Sequence, residues 1–247
     1  MKTASDDNQI SDPTRGFVTY LDESSARRKN LYRVDNNRVY IGVDSSSVLN
    51  PNGAGRDSVR IESKSTYTRG LFIASFAHIP GSNCGSWPAY WMYGDRWPAN
   101  GEIDIIEGVN NNVYNTMSLH TAPGCSPRTG SEGQTGRYNN EGEDCGRNSG
   151  HDGCGINTNS GSNYGTSFSA AGGGYYAMLW TSSGIKIWYF SKGGAPADIS
   201  SGSPNPSGWG RPLANFGPGC EYDRFFRNHV MVSQNSFIGI SEVVYLC

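Results

Sequence analysis

No apolar run in this chain is long enough to cross a bilayer, and Met1-Lys2-Thr3-Ala4-Ser5-Asp6-Asp7 lacks the apolar segment that heads a secreted protein. No N-x-[ST] sequon with a non-proline centre occurs. An excess of charge is missing too. Lys and Arg total 20 against 22 Asp and Glu, a formal charge of −2, which leaves no electrostatic footprint for nucleic acid or an anionic membrane. Helical periodicity is absent apart from room for one turn within 20–30. Neither an internal repeat nor a linker to a second domain is visible. The 6 cysteines, at 84, 125, 145, 154, 220 and 247, include no C-x-x-C pair and fit no zinc-ribbon spacing. Their even number points to disulfides in an oxidising compartment, with the connectivity left open. That compartment conflicts with the missing leader, so the start is expected to be incomplete or replaced.

Glycine and aromatic residues are plentiful instead, at 33 Gly and 12% Phe, Trp and Tyr. Glycine supplies tight turns. Aromatics build β cores and also stack on sugar rings. Strand-like runs bounded by turn residues recur near 16–20, 31–34, 39–43, 58–63, 70–78, 89–93, 101–108, 114–120, 175–181 and 185–190. Many short strands in one unit of this length predict an all-β sandwich or jelly roll, a single domain over 1–247. Residues 1–11 are expected to be mobile. The Gly-, Asn- and Ser-rich stretch 121–174 reads as a long loop stapled by cysteines over one end of the molecule. Residues 191–212 read as a surface loop.

The chemistry concentrates in Glu102-Ile103-Asp104-Ile105-Ile106-Glu107. Alternation along a strand puts Glu102 and Asp104 on one face. Glu107 is one residue out of phase, and a β-bulge at Ile105-Ile106 would bring it back. Three carboxylates on one surface suit glycosidic bond cleavage, where one attacks the sugar and a second, protonated, donates to the leaving oxygen. Retaining enzymes hold the pair roughly 5–5.5 Å apart. Same-face neighbours on a strand are about 6.6–7 Å apart, a compatible scale. Asp104, between them, can hydrogen-bond Glu102 and govern the proton balance of the group. Two other readings compete: a calcium site, and an exposed edge with charges set against aggregation. The alternation of acid with Ile argues against a plain solvent face.

With its neighbours, this motif resembles glycoside hydrolase family 16, nearest the fungal laminarinase branch of endo-1,3(4)-β-glucanases. The resemblance is carried by Asp12-Pro13-Thr14-Arg15-Gly16-Phe17-Val18, Ser58-Val59-Arg60-Ile61, Gly70-Leu71-Phe72-Ile73 and His78-Ile79-Pro80. It continues through Trp87-Pro88-Ala89-Tyr90-Trp91, 101–109, Met117-Ser118-Leu119-His120-Thr121, Gly172-Gly173-Gly174 and Ile185-Lys186-Ile187-Trp188-Tyr189-Phe190. Asp198-Ile199 and Leu213-Ala214-Asn215-Phe216 complete it, over roughly residues 12–230.

The resemblance implies two curved antiparallel sheets with a glucan groove across the concave one. It implies Glu102 as nucleophile, kept ionised, Glu107 as acid/base, kept protonated, and Asp104 as the assisting acid. No metal and no cofactor are implied. His120 is expected to reach the acids from a neighbouring strand, against the alternative of a plain interstrand hydrogen bond. Trp91 is implied as a sugar platform. Trp97 is expected at the entrance to the acids. Arg60 is implied to face the groove and hydrogen-bond sugar hydroxyls, against the alternative of an ordinary surface arginine. Trp87 is read as core, and Trp188 as packing ahead of ligand contact. The expected partner is a β-glucan polysaccharide, with no nucleic acid and no membrane insertion, for a monomer in the extracellular space or cell wall.

Departures from the family pattern are also visible. Residues 233–247 leave it, and the Cys-Gly-Asp-Trp segment expected there is absent. The final strand is therefore expected to be lost, with Cys220 and Cys247 deprived of partners, unless the apolar runs in 237–246 pair instead. Leu179 stands where the family usually has Glu, and Thr19 where it often has Asn. The function expected is retaining endo-hydrolysis of β-1,3(4)-glucans. A cell-wall glucan transglycosylase and a catalytically impaired glucan-binding relic are the alternatives.

Overall fold

The computed structural model describes residues 2–3, 12, 16–127, 133–139, 144–146, 153–159 and 161–237. In chain order the strands are β1 (Lys2–Thr3), β2 (Val18–Tyr20), β3 (Tyr32–Asp35), β4 (Arg38–Ile41), β5 (Arg56–Ser58), β6 (Arg60–Glu62), β7 (Gly70–Phe76) and β8 (Ser86–Gly94). They continue as β9 (Glu102–Glu107), β10 (Thr116–His120), β11 (Arg137–Tyr138), β12 (Cys154–Asn157), β13 (Gly174–Thr181), β14 (Gly184–Ser191), β15 (Ala214–Phe216) and β16 (His229–Phe237). Among the described residues one sheet runs β1-β6-β16-β8-β9-β10-β12-β11 and a second β15-β14-β13-β7. Every pair in these two sheets is antiparallel.

The two sheets face each other across the main core. The large sheet contributes Met92, Ile103, Ile105, Ile106, Met117, Leu119 and Ile156, and the small one Tyr176, Met178, Trp180, Ile185, Ile187 and Phe216. Alternation explains what lies on the other side of each sheet. On the small sheet it is Leu71, Ile73, Leu179 and Trp188, roofed by Trp209, whose indole donates to Asp198. Trp188 packs there and donates to the Gly210 carbonyl, 3.1 Å. Leu179, the position at odds with the family pattern, belongs to this outer layer and is remote from the acids. Thr19 donates to the Gly55 carbonyl beside the parallel β2–β5 pair.

Local chemistry accounts for the connections. Asn36 and Asn37 both have positive φ, 47° and 58°, the two-residue turn that closes the β3–β4 hairpin. The single turn anticipated within 20–30 is α1 (Glu23–Arg28), capped by Asp22, which accepts from the Ser25 amide at 2.8 Å. Gly101, at φ +77°, admits the chain to β9; a Cβ there would meet the Phe225 carbonyl at 2.5 Å. No described helix is long and apolar enough to cross a membrane.

Several expectations are corrected. The final strand is not lost. β16 pairs along its whole length with β8, from His229↔Gly94 to Phe237↔Ser86, so Ser233–Phe237 continue the sheet. Its side chains on the groove face beyond Val232 are the polar Gln234 and Ser236, and they find partners in Arg60 and Asp12. Cys220 is not left alone; it is bonded to Cys125, and Cys145 to Cys154. The stretch 121–174 contains β11, β12 and the helix Gly165–Ala170, and β12 extends the large sheet beside β10. Within the segment expected to be mobile, Lys2 and Thr3 pair with β6. The rest of 1–11, and the substitute pairing considered for 238–246, lie outside the described residues, as does Cys247.

Candidate active site

The acids occupy the central strand of the face turned away from the core. β8 and β9 pair as Tyr93↔Glu102 and Trp91↔Asp104, then the register shifts between Tyr90 and Trp91, and pairing resumes as Tyr90↔Ile106 and Ala89↔Glu107. The extra residue is Ile105. Ile103, Ile105 and Ile106 are all buried in the core. The bulge therefore sends two consecutive isoleucines inward and returns Glu107 to the side of Glu102 and Asp104. On the next strand His120 lies opposite Glu102 and Ser118 opposite Asp104. The sheet thus collects Glu102, Asp104, Glu107 and His120 on one surface.

His120 Nε2 lies 3.1 Å from Oδ2 of Asp104, which is almost fully buried. Burial alone pulls the imidazole pKa down. The hydrogen bond and charge of Asp104 outweigh it, with help from Glu102 and Glu107, and the imidazole is pushed up to about 10. Glu102 is pushed up to about 8, first by burial and then by the negative charge of Asp104, with Glu107 adding to it. His120 and a hydrogen bond from Trp97 act the other way. Burial and the neighbouring charge thus work against the ionised Glu102 that was expected. Such closely interacting carboxylates titrate as a set.

Trp97 reaches Glu102 from the loop before β9 and remains 43% exposed, in keeping with a place at the entrance. Trp91 is on the groove side but only 8% exposed, packed on Tyr93 at 5.1 Å, so little of its ring is open as a platform. Arg60 also faces this side, yet its guanidinium is 5.0 Å from the Trp91 ring and bonded to Glu62 and Gln234. Arg60 thus braces the aromatic floor.

Trp87 was expected in the core and is not there. Its indole N–H donates to Oε1 of Glu107 at 2.9 Å. Alternation along β8 places Trp87, Ala89, Trp91 and Tyr93 on the groove face, a pattern the sequence already held. Tyr93, whose hydroxyl donates to Glu62, and Glu62 itself were overlooked for the same reason.

Glu102, Asp104 and His120 offer ligand atoms within 4.8 Å of one another. One imidazole and two carboxylates make a poor match to calcium, which takes six to eight oxygens.

A sandwich with a row of carboxylates across one sheet face, flanked by tryptophans, is an arrangement that suits carbohydrate-processing domains of the two-carboxylate type. The chain belongs to glycoside hydrolase family 16: the model described as "XgeA-like, catalytic GH16 domain" matches residues 7–241. It is 45% identical over 229 residues to a probable endo-1,3(4)-beta-glucanase of Aspergillus fumigatus, covering 92% of this chain and 34% of that protein. An endo-1,3(4)-beta-glucanase of Arthroderma benhamiae is 43% identical over 232 residues, 92% of this chain and 50% of the relative. The chain therefore spans between a third and a half of these relatives.

Two solved structures are similar in fold and sequence. An elongating family 16 beta-1,3-glucosyltransferase superposes with a TM-score of 0.88 at 42% identity, covering 94% of this chain and 77% of that one. Laminarinase 16A from Phanerochaete chrysosporium, with 6-O-glucosyl-laminaritriose in donor and acceptor sites, gives 0.86 at 37% identity, covering 97% and 83%. With these relatives the jelly-roll architecture is established for this chain.

Proposed function

We propose that this domain cleaves internal linkages of β-1,3(4)-glucans such as laminarin, with retention of configuration. The observation that carries the reading is the bulge in β9, which turns Glu107 onto the face of Glu102 with Asp104 between them. Glu102 attacks the anomeric carbon while Glu107 protonates the departing oxygen. Glu107, now anionic, then takes a proton from water as it displaces Glu102. Sugar binding sets the proton on Glu107 as His120 and Trp97 stabilise the Glu102 anion. The Asp104–His120 pair orients this end of the cluster. Trp97 stacks on the sugars, with Trp91 and Arg60 as support behind it. A single chain supplies all these residues, which favours action as a monomer. The disulfides favour work outside the cell.

Transfer to a sugar acceptor instead of water is the second reading. It is favoured by the similarity to the elongating glucosyltransferase, since both outcomes share the glycosyl-enzyme. Laminarin digestion followed by proton NMR and product sizing tests the set. The expected result is a β-anomer formed first, with rising reducing ends and shorter chains. A first-formed α-anomer would overturn retention, and products longer than the substrate would favour transfer.

A further inference from the structure

The bulge in β9 raises a main-chain problem. An extra residue leaves backbone donors and acceptors outside the regular ladder, and this stretch is buried. The β9–β10 pairing runs from His120↔Glu102 to Ser118↔Asp104. Beyond it, one side chain takes over. Asn115 Oδ1 accepts from the Glu107 amide at 2.8 Å, and Asn115 Nδ2 donates to the Ile105 carbonyl at 2.9 Å. Its amide thus offers β9 what a peptide group of a neighbouring strand would offer, one acceptor and one donor in a plane. It grips the residues on either side of Ile106, and Asn115 is fully buried.

The clasp is itself held. The Asn115 main-chain N–H donates to Thr158 Oγ1 at 3.0 Å, and the Thr158 main-chain N–H donates to the Asn115 main-chain carbonyl at 2.9 Å. Thr158 Oγ1 donates to Asn163 Oδ1 at 2.8 Å, and the Tyr176 hydroxyl, from the opposite sheet, donates to the Asn163 carbonyl at 2.5 Å. Tyr176 also hydrogen-bonds the Asn115 side chain. The chain is therefore fixed where it enters β10, and Asn115 cannot swing away without breaking these bonds.

We infer that Asn115 is a positioning residue for the reaction: its amide clasps the β9 bulge and so holds Glu107 in phase with Glu102. The inference rests on the reading of Glu107 as acid/base. Aspartate keeps an acceptor for the Glu107 amide but sets an oxygen against the Ile105 carbonyl. Alanine withdraws both partners.

The test compares Asn115→Ala and Asn115→Asp with wild type on two substrates, and follows amide exchange at Glu107. Laminarin has a poor leaving group and needs the acid. 2,4-Dinitrophenyl β-laminaribioside leaves without one, and azide can replace base-assisted water in the second step. Asn115→Ala is expected to lose roughly 10²-fold in kcat on laminarin. Glycosylation by the dinitrophenyl glycoside should hold within a few-fold, and azide should restore its turnover. Exchange at the Glu107 amide should rise roughly tenfold or more. Asn115→Asp is expected to follow in the same order with smaller losses, and is the variant read if alanine does not fold. Unchanged laminarin turnover, or equal loss on both substrates with no rescue by azide, would overturn the inference. Wild type inert toward both substrates would instead sink the glucanase reading, and the exchange measurement would still decide whether Asn115 clasps the bulge.

Discussion

The indole of Trp87 and the carboxylate of Glu107 are joined by a 2.9 Å hydrogen bond, four residues upstream of the tryptophan expected to serve as the sugar platform. An N–H aimed at a carboxylate oxygen favours the anion and fixes the plane of the group. Trp87→Phe keeps the ring and removes the donor. Turnover of aryl glycosides, limited by the base-assisted second step, is expected to fall by about tenfold as the carboxylate loses its orientation. Unchanged aryl-glycoside turnover would show that the bond has no part in placing Glu107.

Glu102 links the site to stability. Its folded value of about 8 lies above the ordinary 4.5 of the unfolded chain because burial and the charge of Asp104 penalise the anion. Between these two values the native state binds the extra proton, so stability is fully present below about 4.5 and falls as pH rises through about 8. Glu102→Gln removes the titration. Its melting temperature is expected to match wild type near pH 4 and to exceed it by a widening margin up to pH 9, while turnover is abolished. Thermal melts across that range check this; a constant difference would contradict it.

How far the sequence disclosed this molecule depends on what each residue faces. The acids were legible because charge alternates with isoleucine, and the bulge followed from Glu107 being out of phase. β16 was not legible as a strand, since its groove face carries Gln234 and Ser236, buried polar residues paired with Arg60 and Asp12. Hydrophobic alternation cannot report a strand whose buried positions are polar. β11, β12 and β15 are two to four residues long and carry too little pattern to stand out from loops. Trp87 was misread because a tryptophan within an apolar run looks like core; the phase it shares with Trp91 was the better guide.

His120 and His229 are driven in opposite directions. His120 is held at about 10 because Asp104, Glu102 and Glu107 outweigh its burial. Burial lowers His229 to about 4, only partly opposed by its bond to the Asn100 carbonyl and the charge of Asp95. From pH 5 to 9, imidazole nitrogen NMR should show His120 doubly protonated and His229 neutral. The contribution of His120 to stability should be complete below about 6.5 and fade as pH climbs through about 10. Asp104→Asn should bring the His120 titration down into the observable range. A wild-type His120 titrating near 6.5 would undo this account of the pair.

The disulfides Cys125–Cys220 and Cys145–Cys154 should separate stability from chemistry. Cys125–Cys220 closes a sequence separation of 95, Cys145–Cys154 one of only 9. Loop-closure entropy then favours the long link by about 2 kcal/mol, so Cys125→Ser/Cys220→Ser should lose more unfolding free energy than Cys145→Ser/Cys154→Ser. Activity should rank the other way. Cys154 pairs with Leu119, and the Cys145 carbonyl accepts from Thr121 at 2.9 Å, so the short link brackets His120 on both sides. Gly153 packs so closely that a Cβ there would meet His120 Nδ1 at 2.6 Å. Releasing this wall frees the imidazole to turn from Asp104, whereas the acids on β9 stay held by β8 and β10 when the long link is cut. The expected pattern at 25 °C is near-normal kcat with lowered denaturant midpoint for Cys125→Ser/Cys220→Ser. For Cys145→Ser/Cys154→Ser it is a nearer-normal midpoint with a kcat down roughly tenfold. Denaturant titration beside laminarin turnover reads both. Parallel losses in the two variants would mean that the short link stabilises the fold without shaping the site.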